Sequence, residues 1–133
     1  MTDLPQGLLK LLHQPSPCFI ATLQPDGSPH LTQVWVDTDG EHIVINTVDG
    51  HQKLRNIHRD PRVAVTVSDP DDTARYYSVR GRVINTTTDG GVEGIEALSQ
   101  KYSNGPYSWH GGRDQVRVVL TIAVDKVIHA PWS

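Results

Sequence analysis

The fold is decided by residues 18–48, which read CFIATLQPDGSPHLTQVWVDTDGEHIVINTV. Three runs rich in apolar and β-branched residues (18–23, 30–37 and 42–48) are separated by the turn signals PDGS and TDG. Asp-Gly pairs between such runs are typical of β-hairpins, because glycine and aspartate tolerate the backbone angles of tight turns. This stretch therefore predicts three antiparallel strands joined by two hairpin turns.

The strand pattern continues through the rest of the chain. Further strands are predicted over 62–69, 75–86 and 116–124, and residues 126–130 either continue the last strand or turn away from it. Gly81 interrupts the long strand and predicts a bulge or a sharp bend there.

Three short helices are predicted beside these strands. Leucines and other apolar residues at helical spacing place them over 4–13, 51–59 and 88–102. The helices do not alternate with the strands as they do in βαβ nucleotide-binding folds. The pattern predicts a mainly β (α+β) fold, a small closed or partly closed antiparallel barrel with short flanking helices.

Length, charge and cysteine content exclude several classes of protein. The chain has 133 residues, 12 Lys and Arg against 15 Asp and Glu, and a net charge of −3. A single domain over residues 1–133 is expected, and the mild acidity argues against nucleic-acid binding. The lone cysteine, Cys18, excludes an internal disulfide, and the seven histidines show no metal-ligand spacing, so no metal site is expected. No apolar run approaches about 18 residues, so no membrane span is expected and a cytoplasmic protein is predicted.

The most informative segment for function is INTVDGHQKLRNIHRDPRV, residues 45–63. A strand ends at Asn46 and Thr47, and a glycine turn leads into a helix that carries His51, Lys53 and Arg55 early. The first turn of a helix attracts anions, so cations placed there are unfavourable unless an anion such as phosphate occupies the site. A solvated basic helix face explains the same residues equally well. On an ideal helix Lys53 and Arg55 lie roughly 200° apart, so both reach one anion only if the helix begins near Lys53.

Aromatic residues suggest a second part of a site. Strand alternation places Gln33 and Trp35 on the face opposite the core residue Val34, where a cleft or a subunit contact would lie. Tyr76 opens the long strand, and Trp109 lies in a glycine-rich loop that either covers a site or packs at a dimer seam. For Trp35 taken alone, the residue type favours a purely structural role.

Five blocks in order connect the chain to a known family. They are CFIATLQPDGSPH (18–30), QVWV (33–36), KLRNIHRDPRVAV (53–65), YYSVRGRV (76–83) and VRVVLTI (116–122). In this order and spacing they resemble the pyridoxamine 5′-phosphate oxidase-like superfamily of split β-barrel flavoproteins. Within it, the chain looks most like the branch that uses the deazaflavin coenzyme F-420.

The resemblance, which spans roughly residues 6–129, implies a six- to seven-stranded antiparallel split barrel of the FMN-binding type. It also implies a homodimer with two cofactor sites at the interface. It assigns the cofactor phosphate to the strand–helix junction and the ring to the second strand, with an aromatic residue of the long strand beside it. The residues that match the phosphate site are Asn46, Thr47, His51, Lys53 and Arg55. Those that match the ring site are Gln33, Val34 and Trp35, and the aromatic residue beside the ring is Tyr76. His51 stands where a second strongly basic residue would be typical, which makes pH-dependent phosphate affinity an expectation.

The expected function follows from this resemblance. A reduced deazaflavin would give a hydride to a conjugated small-molecule acceptor, in a substrate space shaped by Trp35, Tyr76 and Trp109. No residue stands out as the general acid, so the catalytic residues stay unknown. The alternatives are an FMN protein of the same barrel, either oxidase-like or a flavin reductase, a non-catalytic deazaflavin carrier, and an interaction barrel with an empty cleft.

Overall fold

The computed structural model describes residues 3–109 and 111–131. Three helices and seven strands follow one another along this part of the chain. In chain order they are α1 (Gln6–His13), β1 (Cys18–Leu23), β2 (Pro29–Val34), β3 (Val36–Thr38), β4 (Ile43–Val48), α2 (Gln52–Arg59), β5 (Arg62–Asp69), β6 (Asp72–Thr87), α3 (Gly91–Ser103) and β7 (Arg117–His129).

The strands form one curled antiparallel sheet in the order β2-β1-β5-β6-β7-β4-β3. Its two edge strands, β2 and β3, are neighbours in the chain and are separated only by Trp35. The chain therefore passes from one edge of the sheet to the other at Trp35, and the barrel is split at that point. This confirms the predicted split β-barrel with short flanking helices.

The hairpins are confirmed, while some element bounds differ from prediction. Gly27 and Gly40, in the two turns, adopt φ angles of 85° and 97°, the left-handed region that glycine tolerates. The predicted strand 30–37 is two strands, divided at Trp35, because the sheet closes there. Residues 117–129 form one strand, β7, so the predicted segment 126–130 continues it.

Gly81 allows the two longest strands to approach closely. The register of β6 against β7 shifts between Arg80 and Gly81, which confirms the predicted bulge. A Cβ at Gly81 would lie 2.3 Å from the carbonyl oxygen of Ala123, so only glycine fits between these backbones.

The core lies between the inner face of the curled sheet and α1. Its fully buried side chains are aliphatic and come from alternating strand positions and one helix face, and they include Leu8, Leu12, Ile20, Ile43, Ile45, Leu120 and Ile122. Val34 and Val36 belong to it, as the alternation predicted. Cys18 is also fully buried, and burial raises the pKa of its thiol to about 12, so it is a core residue rather than a nucleophile.

Two kinds of feature are missing from residues 3–109 and 111–131. No helix there is long and apolar enough to cross a membrane. No group of three or more His, Cys, Asp or Glu side chains there is arranged to hold a metal ion.

Candidate functional site

A cavity of about 730 Å³ opens where the barrel is split. Its walls come from the β2–β3 break, the end of β4, the start of α2, one face of α3, the loop after α3 and the start of β7. Seven of the nine residues assigned to the cofactor by the sequence line this cavity, namely Gln33, Val34, Trp35, Asn46, Thr47, His51 and Lys53. Arg55 and Tyr76 lie elsewhere.

One end of the cavity, the basic end, is formed by Lys53, Arg117 and His51. Lys53 and Arg117 are only 9% and 8% exposed, whereas His51 lies at the solvent-exposed rim. No carboxylate occurs among the described residues that line the cavity, and no described carboxylate forms a salt bridge with Lys53 or Arg117. Two buried cations with no counter-charge are unfavourable, and an anion at this place would compensate them.

The electrostatics of the basic end agree with this interpretation. Desolvation, followed by repulsion from Arg117, lowers the pKa of Lys53 below its usual range. Desolvation also lowers the pKa of Arg117. The pKa of His51 is lowered by desolvation and then by the charges of Lys53, Arg117 and Arg55. Each of these shifts would be opposed by a bound anion.

The start of α2 explains why Lys53 and Arg55 separate. The helix begins at Gln52, and no side chain caps it, since His51 at the N-cap makes no side-chain capping bond. Lys53 turns into the cavity. Because Arg55 lies about 200° further round the helix, its side chain turns out to solvent. There Arg55 donates to the carbonyl of Gly50 and to Oε1 of Gln52, so the chain does not bring it to the anion.

Sequence reasoning missed three side chains that form the two ends of this cavity, the charged residue Arg117 and the aromatic residues Tyr102 and Tyr107. The Nε of Arg117 donates to Oδ1 of Asn46 at 2.7 Å, and its guanidinium lies over the ring of Tyr107 at 5.5 Å. Nδ2 of Asn46 in turn donates to the carbonyl of Gly91 at 2.8 Å. Both the oxygen and the nitrogen of the Asn46 side-chain amide are therefore hydrogen-bonded within the protein, and the oxygen orients Arg117. The sequence signal that could have indicated Arg117 is its position as a charged residue near the start of a strand that is otherwise rich in apolar, β-branched residues.

The other end of the cavity, the aromatic end, consists of Trp35, Tyr102 and Tyr107. Trp35 stacks on Tyr102 with ring centroids 5.3 Å apart and planes 9° apart, and Tyr107 meets Trp35 edge-on at 6.5 Å. Trp109 packs behind Tyr107 at 5.1 Å and does not line the cavity. The carboxylate of Glu96 holds this loop, accepting from the Tyr107 N–H and from Nε1 of Trp109, each at 3.1 Å.

Helix α3 runs between the two ends. Gly91 at its start touches Asn46 and Arg117, while Tyr102 near its end belongs to the aromatic end. The two ends also meet directly, because the Arg117 guanidinium lies 5.5 Å from the centre of the Tyr107 ring. The face of α3 that contains Ile95 and Ser99 forms one side of the cavity.

The edge of β2 borders the cavity without a neighbouring strand. β2 pairs with β1 alone, so its other edge, here called the open edge, faces the cavity at Gln33–Trp35. Unpaired strand edges present N–H and C=O groups to whatever lies beside them. A flat heterocycle with donors and acceptors on its rim is suited to such an edge.

Tyr102 does not offer a proton to the cavity. Its hydroxyl donates to the carbonyl of Ser16 at 2.7 Å and accepts from the N–H of Val36 at 3.2 Å. Burial, the largest cause, raises its pKa to about 12. The Tyr102 phenol is therefore a structural group rather than a general acid.

Tyr76 lies on the outer face of the sheet. It pairs with Ser68 on β5 and stacks on His129 at 4.3 Å. Its strand, β6, is three positions from β2 in the sheet, so one chain does not bring Tyr76 to its own cavity. Gln33 and Phe19, which pair with each other across β1 and β2, belong to the same face by alternation.

Comparison with known proteins places the chain in a family. A family model described as pyridoxamine 5′-phosphate oxidase matches residues 4–129. An F-420 reductase is similar at 32% identity and a TM-score of 0.81, covering 93% of this chain and 98% of the reductase.

Two more distant structures share the fold. A conserved hypothetical protein from Mycobacterium tuberculosis has 23% identity, a TM-score of 0.69 and coverage of 96% of this chain and 84% of that one. HupZ from Group A Streptococcus has 17% identity, a TM-score of 0.65 and coverage of 93% and 91%. The family model and the F-420 reductase together support an oxidoreductase of this superfamily. The chain belongs to the pyridoxamine 5′-phosphate oxidase family.

Proposed function

We propose that the protein is a coenzyme F-420-dependent reductase that passes a hydride from the reduced deazaflavin to a conjugated small-molecule acceptor. The observation that carries the proposal is the basic end, where buried Lys53 and Arg117 converge and no carboxylate occurs among the described residues of the cavity. The aromatic end adjoins it, because the Tyr107 ring lies 5.5 Å from the Arg117 guanidinium. A ligand with a phosphate and a flat ring matches both ends, and an F-420 reductase is similar over nearly the whole chain.

In this proposal each part of the cavity has one task. Lys53 and Arg117, with His51 at the rim, hold the phosphate by charge-assisted hydrogen bonds. The open edge of β2 and Trp35 orient the ring, and the aromatic end excludes water from it. The bound cofactor supplies the hydride, and the chain supplies binding and orientation.

The cofactor is tested by titrating cofactor-stripped protein with F-420 and with FMN. The proposal expects F-420 to bind at least about tenfold more tightly, a difference of roughly 1.4 kcal/mol. Both molecules carry a phosphate, so the basic end alone does not discriminate between them. Tight FMN binding with no response to F-420 would favour the alternative of an FMN protein, for which the family description argues.

The reaction is tested separately, by mixing the protein and reduced F-420 with a panel of enones and quinones. The proposal expects oxidation of the deazaflavin with at least one acceptor. Tight binding without oxidation across the panel would replace the reductase with a deazaflavin carrier.

We further propose that a second copy of the chain covers the outer face of β2, β1, β5 and β6. Leu31 is 65% exposed there and Phe19 38%, and they adjoin the small residues Ala21 and Ala64 in the sheet register. The same face carries Gln33 at the cavity and Tyr76, so a second copy packed on it would bring its own aromatic residue near the first copy's cavity.

Light scattering tests the dimer. Twice the 14.7 kDa chain mass is expected for the wild type, and the mass of one chain for Leu31→Asp. A wild-type monomer that binds the cofactor fully would contradict the dimer and leave Tyr76 without a role in the site.

A further inference from the structure

Two consecutive side chains of α3 hydrogen-bond the backbone at the break between β2 and β3, where the chain passes through Trp35 from one edge strand to the other. The N–H of Val36 donates to the hydroxyl of Tyr102 at 3.2 Å, and the carbonyl of Val36 accepts from Nζ of Lys101. In a continuous sheet a neighbouring strand would satisfy such groups. Here the helix supplies both partners, at the residue where the chain changes from one sheet edge to the other.

The same two side chains connect the break to the last turn of α1 and to the segment that follows it. The Tyr102 hydroxyl donates to the carbonyl of Ser16 at 2.7 Å, and Nζ of Lys101 donates to the carbonyl of Leu12 at 2.7 Å. The Lys101 side chain is 17% exposed, and its ammonium also forms an ion pair with Asp37 at 4.0 Å. This one ammonium therefore connects α3, α1 and β3 at the break.

Tyr102 also contacts the cavity directly. Its ring lies against the indole of Trp35 with planes only 9° apart, and both rings line the cavity beside the open edge. The two hydrogen bonds of its hydroxyl hold the Tyr102 ring in place against the Trp35 indole. Trp35 therefore stacks on a residue of α3 that is itself anchored on the other side of the break.

We propose that Lys101 and Tyr102 are positioning residues, which fix the Trp35 indole and the open edge of β2 in the geometry that a planar cofactor ring requires. This inference rests on the proposed function as regards the ring. It separates the two ends of the cavity: the Lys101–Tyr102 pair governs how the ring binds, whereas Lys53 and Arg117 govern how the phosphate binds.

The experiment compares Tyr102→Phe with Tyr77→Phe. Tyr77 is buried, at 7% exposure, whereas Tyr102 is partly buried; since Tyr77 does not line this cavity, its variant controls for general loss of a phenol. The first readout is the near-ultraviolet circular dichroism of ligand-free protein. The Trp35 signal is defined as the difference between the spectra of the wild type and of Trp35→Phe. The second is the affinity for F-420 and FMN, and the third is the competition of inorganic phosphate against each.

For Tyr102→Phe we expect loss of at least about half of the Trp35 signal and about tenfold weaker cofactor binding, as for removal of one buried hydrogen-bonding partner. The apparent affinity for inorganic phosphate should stay unchanged. Tyr77→Phe should alter none of the three readouts at a temperature where it is folded. If Tyr102→Phe does not fold, Lys101→Met carries the same readouts, with Lys101→Arg as the conservative rescue.

An unchanged Trp35 signal and unchanged cofactor affinity in the folded variants would overturn the inference and leave the pair with a purely structural role. Equal weakening of cofactor and phosphate binding would overturn it as well. If wild-type protein bound neither F-420 nor FMN, the proposed function would fail, and the ring part of this inference with it. The dichroism of ligand-free protein would still decide whether Lys101 and Tyr102 set the position of Trp35.

Discussion

Replacing Lys53 by methionine should stabilise the ligand-free protein and weaken its binding of the cofactor. Methionine retains most of the aliphatic stem of lysine and removes the ammonium. In the wild type Lys53 is 9% exposed, and its ammonium has no carboxylate partner among the described residues and is repelled by Arg117. A structural lysine would show the opposite effect on stability, because its loss would leave a partner unpaired.

The magnitudes follow from the environment of the side chain. The effective cost of burying an uncompensated ion is several kcal/mol, and partial neutralisation recovers some of it, so we expect a gain of about 1–2 kcal/mol on substitution. For a chain of this length that corresponds to a rise in Tm of roughly 3–8 °C. Losing a charge-assisted contact to phosphate should cost about 2–3 kcal/mol of binding, or roughly 30- to 150-fold in Kd.

The assay is thermal unfolding of cofactor-stripped protein in a buffer free of phosphate and sulfate, repeated with saturating F-420 or FMN. Lys126→Met is the matched control, since Lys126 is exposed on β7, away from the cavity, and should change stability by less than about 0.5 kcal/mol. A lower Tm for ligand-free Lys53→Met, together with unchanged cofactor affinity, would refute the assignment of Lys53 to an anion site.

Three further outcomes are expected. Burial and the neighbouring cations lower the pKa of His51 from 6.5, so the ligand-free protein should lose stability as pH falls below about 6.5. Cofactor affinity should rise over the same pH range, and in calorimetric titrations His51→Gln should make both stability and affinity less dependent on pH. Asn46→Ala removes the acceptor for Nε of Arg117 and should weaken cofactor binding about tenfold, and an unchanged Kd would show that Arg117 needs no such support. Glu96→Gln leaves one oxygen for two donors and should speed hydrogen exchange at the Tyr107 amide about fivefold, with exposed Glu93→Gln as control; equal exchange would mean that Glu96 does not hold the loop.

Much of the fold follows from local patterns in the sequence. The bounds of β1 and β5 agree with the apolar runs, since alternation and flanking turn residues act over a few residues only. The break at Trp35 left no trace in the pattern, because Val34 and Val36 are both buried on either side of it. It arises from closure of the whole sheet, which brings two edge strands together, and no local signal encodes that.

The candidate site was predictable where its residues are neighbours in the chain. Lys53 and Thr47 lie within one strand–turn–helix unit, and helical geometry already separated Lys53 from Arg55. Arg117 is distant in sequence and reaches Lys53 only because β7 pairs with β4, placing Val48 opposite Arg117. The assignment of Tyr76 came from the family resemblance and depends on a second copy of the chain.

The central claim is that the basic end binds the phosphate of a ring cofactor. It is tested most directly by calorimetric titration of stripped wild-type protein with F-420 and with the same deazaflavin after removal of its phosphate group. We expect the dephosphorylated molecule to bind at least about 100-fold more weakly, a difference of roughly 2.7 kcal/mol, and we expect this difference to shrink in a variant carrying both Lys53→Met and Arg117→Met. Equal affinity of the wild type for the two molecules would show that the basic end does not bind the phosphate.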